Sequence, residues 1–387
     1  MAQVPAHNKR RAGGSVRWLV AGIAVVLVAG AAGASFLFGR GGGAATPSAA
    51  AASAPAQHAR HVALAVVSTS PPDGATDVAP DTALTVTLTT PLATDSPMPS
   101  FSPPLAGSWS SLSPTMLRFA ADGPIVPGTH ETLTVPDGLT GVVSADGQRL
   151  TAPVESSFTV APPSTLRLQQ LLAELGYLPL SFTPTVPLTS PAQAADVQPG
   201  TFAWRWSTLP ATLTSQWTPG SYDVITKAAV MTFQDQHQLG TDGVPGPQVW
   251  AALLGAVGAG VGDRAPYDYV VVAKGSPESA SVYRDGAVVY STAVNTGVPA
   301  APTVDGTFPV FEHLVSATMK GTNPDGSKYS DPGVPWVSYF NGGDALHGFV
   351  RPGYGYPQSD GCVEMPPSNA AVVFPMTPIG TLVSVVS

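Results

Sequence analysis

Residues 346–365 read Leu-His-Gly-Phe-Val-Arg-Pro-Gly-Tyr-Gly-Tyr-Pro-Gln-Ser-Asp-Gly-Cys-Val-Glu-Met, and they contain the only cysteine of the 387-residue chain. A lone cysteine makes no intramolecular disulfide and excludes zinc sites built on several thiolates. Its alternatives are a buried apolar thiol or a nucleophile. A thiol attacks a carbonyl as thiolate, so a catalytic Cys362 needs an imidazole that takes its proton. Five of the seven histidines lie far from it in sequence: His7, His58, His61, His130 and His237. His313 and His347 remain, and only His347 shares a compact Gly-rich segment with the cysteine. Gly361 just before the nucleophile allows a tight turn that aims successive backbone N–H groups at one point, as an oxyanion hole requires.

Upstream of this segment the chain reads as strands: Tyr269 to Ala273, Ala280 to Arg284, Ala287 to Asn295, then Gly306 to Leu314, with Asp285-Gly286 as a hairpin turn. Asn295-Thr-Gly-Val, Pro302-Thr-Val-Asp-Gly-Thr-Phe, Val334-Pro-Trp-Val-Ser-Tyr-Phe and Pro378-Ile-Gly-Thr-Leu-Val-Ser-Val occur in this order around the His347 and Cys362 motifs. Together these residues resemble the L,D-transpeptidase catalytic domain, the YkuD-like fold, over residues 266–387. The resemblance implies Cys362 as nucleophile, His347 as base, the Gly348 carbonyl as the acceptor that orients the imidazole, and the Gly361 and Cys362 N–H groups as the oxyanion hole. It also implies substrate-binding positions at Tyr329, Trp336, Arg351, Ser359 and Asp360, with Tyr329 on a substrate lid. The family needs no metal or organic cofactor; a zinc set of His313, His347 and Cys362 is the alternative that the family pattern disfavours.

Two residues depart from the family pattern. Asp360 stands where histidine is usual, and Glu364 where arginine or asparagine is usual. Carboxylates beside Cys362 disfavour the thiolate unless they are taken up elsewhere. Alternatively, an acidic rim attracts the amine of a diaminopimelate side chain while Arg351 meets a substrate carboxylate.

Further toward the N-terminus, Leu168, Leu171, Leu172 and Leu175 mark one face of a helix that Gly176 ends. Thr226 is the expected cap of a second helix, and Pro247 the first residue of a third. Leu168-Gln-Gln-Leu-Leu-Ala-Glu-Leu-Gly-Tyr, Ala229-Val-Met-Thr-Phe-Gln and Asp242-Gly-Val-Pro-Gly-Pro resemble the three-helix peptidoglycan-binding domain, here spanning 163–258. An insertion at about 180–218 departs from that family, and its Trp204, Trp206 and Trp217 suit either packing on the host or stacking on sugar rings. Residues 62–162 show short alternating runs such as Leu84, Val86 and Leu88 between Pro and Asp-Gly turns, the pattern of a β-sandwich. Ser70-Pro-Pro-Asp-Gly-Ala, Pro127-Gly-Thr-His and Ser157-Phe-Thr-Val resemble bacterial Ig-like modules.

Residues 18–38 carry no charge and no proline, enough for a helix of roughly 30 Å. Lys9, Arg10, Arg11 and Arg17 precede the segment, which leaves residues 1–17 in the cytoplasm and exports the chain beyond residue 38. A cleaved signal peptide is the rival reading. Residues 39–61 read as a flexible tether. The chain holds 17 basic against 25 acidic residues, net −8, with no basic stripe, which argues against nucleic acid. The expected architecture is therefore multidomain and mainly β: a transmembrane anchor, an Ig-like sandwich, a three-helix peptidoglycan-binding domain and a C-terminal catalytic domain. Its expected partners are peptidoglycan stem peptides and glycan, with the membrane reached through the N-terminal helix and carbapenem-type β-lactams as inhibitors. Water or a protein amine as acyl acceptor, or a degenerate wall-binding protein, are the alternatives to cross-linking.

Overall fold

The computed structural model describes residues 62–387. The expected anchor at 18–38, the basic segment before it and the tether after it lie outside the described residues. Among the described residues, no helix is long and apolar enough to cross a membrane.

Two four-stranded sheets form the first domain. One runs in the order Val66–Ser70, Leu84–Leu88, Met116–Ala121, Gly107–Ser113; the other Ala75–Val78, Val154–Val160, His130–Val135, Ser100–Ser102. Period-two alternation decides which side chains face inward, so Leu84, Val86 and Leu88 are buried while Thr85 and Thr87 are not. Phe101, Trp109 and Phe119 close the core with ring centroids 5.0–5.8 Å apart.

Three helices come next, Thr165–Glu174, Val224–Gln236 and Pro247–Ala259, with a short one, Ala211–Thr214, between the first two. Leu168, Leu171, Leu172 and Leu175 are all buried, and Gly176 at φ +86° ends the first helix as its sequence implies. The second helix is capped by Asp223 rather than by Thr226. The Asp223 carboxylate accepts from the Thr226 N–H and hydroxyl, both at 2.8 Å, because as N-cap it stands three residues before the last free amide of the helix start. It also accepts from the Thr218 N–H at 2.8 Å. Asp223→Ala is expected to lower stability by about 1–2 kcal/mol, read as a fall in the denaturant midpoint at unchanged slope.

The insertion is a β-hairpin, Leu180–Pro184 against Gly200–Trp204, packed over the first helix. Arg167, fully buried, donates to Ala194 O at 3.0 Å and pairs with Glu174 at 2.9 Å, which ties insertion to helix. Trp217 packs edge-on to Phe202, and Trp206 stacks on Tyr267 at 6.2 Å beneath the Arg205 guanidinium. Trp204 packs against the helical core as well, so all three tryptophans serve as packing groups.

The C-terminal domain has a five-stranded sheet ordered Ala287–Ala293, Ser279–Arg284, Asp268–Ala273, Leu382–Val386, Gly306–Pro309, and a four-stranded one ordered Glu312–Thr322, Lys328–Asn341, Asp344–Gly348, Val363–Met365. Asp285 and Gly286, at φ +51° and +80°, make the expected two-residue hairpin turn. The run Gly306 to Leu314 is not one strand but two. Pro309 has no N–H to continue the ladder, and the chain crosses there from the first sheet to the second: Val310 N–H donates to Thr381 O and Phe311 N–H to Tyr339 O. Val270, Val272, Val282, Phe340, Val363, Met365, Val383 and Val385 fill the space between the sheets. The helical domain docks on the back of the first sheet, where Tyr269 and Leu382 join the helical core and the Tyr269 hydroxyl bonds Thr212 at 2.9 Å and Ser384 at 2.5 Å.

Candidate active site

Strands Asp344–Gly348 and Val363–Met365 run parallel, with His347 opposite Glu364. Side chains two residues apart share a face, so this register puts His347, Glu364 and Cys362 on one side of the sheet. All three line a cavity of about 370 Å³. His347 is only 2% exposed, and its Nδ1 lies 3.2 Å from Gly348 O. With Nδ1 donating to that carbonyl, Nε2 is the basic nitrogen. Burial pushes the His347 pKa below the ordinary imidazole value, only partly offset by the Gly348 bond and the Glu364 charge. Cys362 moves the other way, up to about 12, through burial first and then through the negative charges of Asp344, Glu364 and Asp360. Both shifts favour the neutral forms, and the thiol donates to Gly343 O at 3.6 Å, so the arrangement suits proton transfer to the imidazole during attack rather than a standing thiolate–imidazolium.

The loop that carries the cysteine is held by the segment after strand Ala287–Ala293. Asn295, fully buried, donates from Nδ2 to Gly353 O and accepts the Gly355 N–H on Oδ1, both at 3.0 Å. Its backbone pairs with Glu364 in both directions at 2.8 and 2.9 Å. Thr296 O accepts from Gln358 and Ser359, and the buried Glu278 carboxylate in turn holds Thr296 N–H and hydroxyl at 2.7 Å. The Thr303 hydroxyl donates to Gly361 O at 2.8 Å. Gly361 itself has φ +117°, and a Cβ there would sit 2.4 Å from Asp344 Oδ1, so only glycine fits before the cysteine.

The model of the L,D-transpeptidase catalytic domain matches residues 267–385. Those residues belong to the L,D-transpeptidase family. Residues 60–160 match the bacterial Ig-like domain and residues 210–253 the putative peptidoglycan binding domain. Among solved structures, the chain is similar to the catalytic domain of an E. faecium L,D-transpeptidase, with 32% identity over 32% of this chain and 100% of that one, at a TM-score of 0.29. It is also similar to L,D-transpeptidase 3 from Mycobacterium tuberculosis, with 13% identity over 84% of this chain and 99% of that one, again at 0.29. No curated protein matches the chain.

Within this L,D-transpeptidase domain the long hairpin Glu312–Thr322/Lys328–Asn341 walls the cavity with Met319, Asn323, Tyr329 and Asp331. Tyr329 lies opposite Gly321, where a Cβ would meet its ring at 2.4–2.5 Å, so the ring covers the glycine and is aimed by it. Trp336 does not reach the cavity. Trp336 itself has φ +59° and breaks the alternation of its strand, so Val334 and Val337 share a face with Tyr329 and Cys362 while Trp336 turns into the core against Phe374 at 5.4 Å. His313 also lies elsewhere, stacked on Phe374 with Nε2 2.9 Å from its carbonyl, and does not join His347 and Cys362.

Ser359 and Asp360 both line the cavity, the first buried and the second exposed. The Ser359 hydroxyl donates to Cys362 O at 2.5 Å and accepts the Gly361 N–H at 3.3 Å, so one of the two amides expected to face an oxyanion is engaged by a side chain. Arg351 is not free to meet a substrate carboxylate: its Nε and Nη2 each donate to the Glu364 carboxylate at 2.7 Å. Sequence pattern does not single out Asn295, Thr303, Glu278 or Asp344 as site residues. Asn295 and Thr303 lie inside Asn295-Thr-Gly-Val and Pro302-Thr-Val-Asp-Gly-Thr-Phe, and that is the one signal pointing toward them.

Proposed function

We propose that the chain is an extracytoplasmic peptidoglycan L,D-transpeptidase that cross-links stem peptides through a thioester on Cys362. The observation that carries this reading is the opening of Cys362 and a Gly348-oriented His347 onto one cavity walled by the Tyr329 hairpin. Cys362 Sγ attacks the diaminopimelate carbonyl of a donor stem while His347 Nε2 takes the thiol proton. The amide C–N bond to the terminal D-alanine then breaks, and the imidazolium returns its proton to the leaving amine. An acceptor diaminopimelate amine attacks the thioester, His347 accepts its proton, and the thiol is restored. The apolar segment at 18–38 tethers the protein to the membrane, the sandwich sets distance from it, and the helical domain engages the wall.

A second reading, a wall-binding protein of weakened activity, is favoured by one observation: burial and three neighbouring carboxylates push the thiol up to about 12. Incubating the ectodomain with a carbapenem and recording intact mass separates the two. A single adduct on wild type, absent from Cys362→Ala, is expected; no adduct on wild type would establish the weakened binder. Product analysis with purified stem peptides then identifies the acceptor, and D-alanine release without any dimer would point to water in that role.

A further inference from the structure

Glu364 is 4% exposed, shares a strand face with Cys362 and lies directly across from His347. A carboxylate so placed opposes the charge that must develop on sulfur during attack. Its position is fixed by the backbone, through the two bonds to Asn295, so the side chain has no route away from the site. The charge is answered from the other side of the loop. Arg351 meets it with two parallel N–H···O bonds of 2.7 Å, while its guanidinium lies 4.8 Å from the Phe349 ring centroid and donates again to Gln358 O at 3.4 Å. Planar bidentate pairing of this kind is specific to arginine. A buried ion pair adds little to stability over apolar residues of the same volume. Its value here lies in what stands beside it.

We infer that Arg351 is a positioning residue that, through Glu364, shields the reacting sulfur and imidazole from a fixed buried negative charge. The inference rests on Cys362 as the nucleophile. The other charged or titratable groups facing the thiol are Asp344 beneath Gly361, Asp360 at the mouth, Asp331 and Tyr329 on the hairpin, and Tyr339 behind them. None of these is cationic, and with His347 neutral at rest the only positive charge among the described residues lining the cavity is that of Arg351.

Because the chain has one cysteine, the rate of iodoacetamide alkylation at a fixed, mildly alkaline pH reads the thiol directly. Arg351→Gln unmasks Glu364 and is expected to slow alkylation at least tenfold, the effect of one uncompensated charge about 12 Å away at an effective dielectric near 20 and a lower bound for a closer one. Glu364→Gln leaves the arginine charge unopposed and is expected to raise the rate above wild type. The double variant, with both charges gone, should return to within about threefold of wild type, and Arg351→Lys should recover most of the loss. A purely structural pair gives a different order: both single variants slow and the double no better than either, or no change in any of them, and either result overturns the inference. Should Arg351→Gln fail to fold, Glu364→Gln decides alone, a rate at or below wild type overturning it. Alkylation needs no peptidoglycan. A chain that never cross-links yet shows the expected order of rates has lost only the proposed function, while one that cross-links but alkylates indifferently to these charges has lost only the shield.

Discussion

Replacing His347 by alanine is expected to slow carbapenem acylation of Cys362 by about 10³-fold, within the range of roughly 10² to 10⁴ typical of a positioned general base. The thiol is held up to about 12, so without a base only the small thiolate fraction reacts. The two proteins should then differ in the shape of their pH profiles as well as in rate. Wild type uses an imidazole whose pKa is pushed below the ordinary value by burial, so its rate is expected to be level across neutral pH and to fall only on the acid side of the usual histidine range. The variant's rate should climb about tenfold per pH unit from neutral into alkaline solution, tracking the thiolate. Stopped-flow loss of the β-lactam chromophore measures both. A variant that keeps the wild-type rate, or its level profile, would remove His347 from the role of base.

Much of this site is legible in the sequence because its chemistry is local. His347, Gly348, Gly361 and Cys362 fall within sixteen residues, and a glycine forced to φ +117° beside a lone cysteine marks a turn that no other residue type accepts. The sandwich and the helices are legible because each repeats its burial period, as Leu84, Val86 and Leu88 or Leu168, Leu171 and Leu172 show. The departures from expectation have a different cause. Trp336 turns inward because its own backbone, at φ +59°, breaks the alternation of the strand, and such a local break leaves no trace in the composition of the strand. Arg351 reads as a substrate ligand because its partner lies thirteen positions away on another strand, and charge alone does not say which charge will answer it. Glu278 and Thr303 act on the cysteine loop through contacts 18 and 58 residues apart, separations at which sequence pattern carries no register information.

The same long-range frame makes Gly297→Ala the substitution with the largest structural effect expected near the site. A Cβ at this position would lie 2.1 Å from Ala301 O, 2.6 Å from Thr303 N and 2.9 Å from Gly361 N. All three are backbone atoms, so no side-chain rotation relieves the clash, and relief requires the chain segments to part. Those segments are the ones that place the nucleophile. Gly297 N–H donates to the Thr303 hydroxyl at 2.9 Å, the same hydroxyl donates to Gly361 O at 2.8 Å, and Gly297 bridges to Ser359. Moving any of them moves the Gly361–Cys362 turn. A stability loss of about 3 kcal/mol is expected, together with a roughly 10²-fold fall in acylation rate for the fraction that remains folded, since a displacement near 1 Å at a reacting group costs about that much. Gly275→Ala is the matched control: a Cβ there meets nothing within 4 Å, and the change should stay within about 0.5 kcal/mol of wild type. Denaturant unfolding and carbapenem acylation on the two variants read the two effects separately. If Gly297→Ala matches Gly275→Ala in both, the segment after Asn295 does not position the cysteine, and the close approach of these three backbones has no bearing on how the thiol is presented.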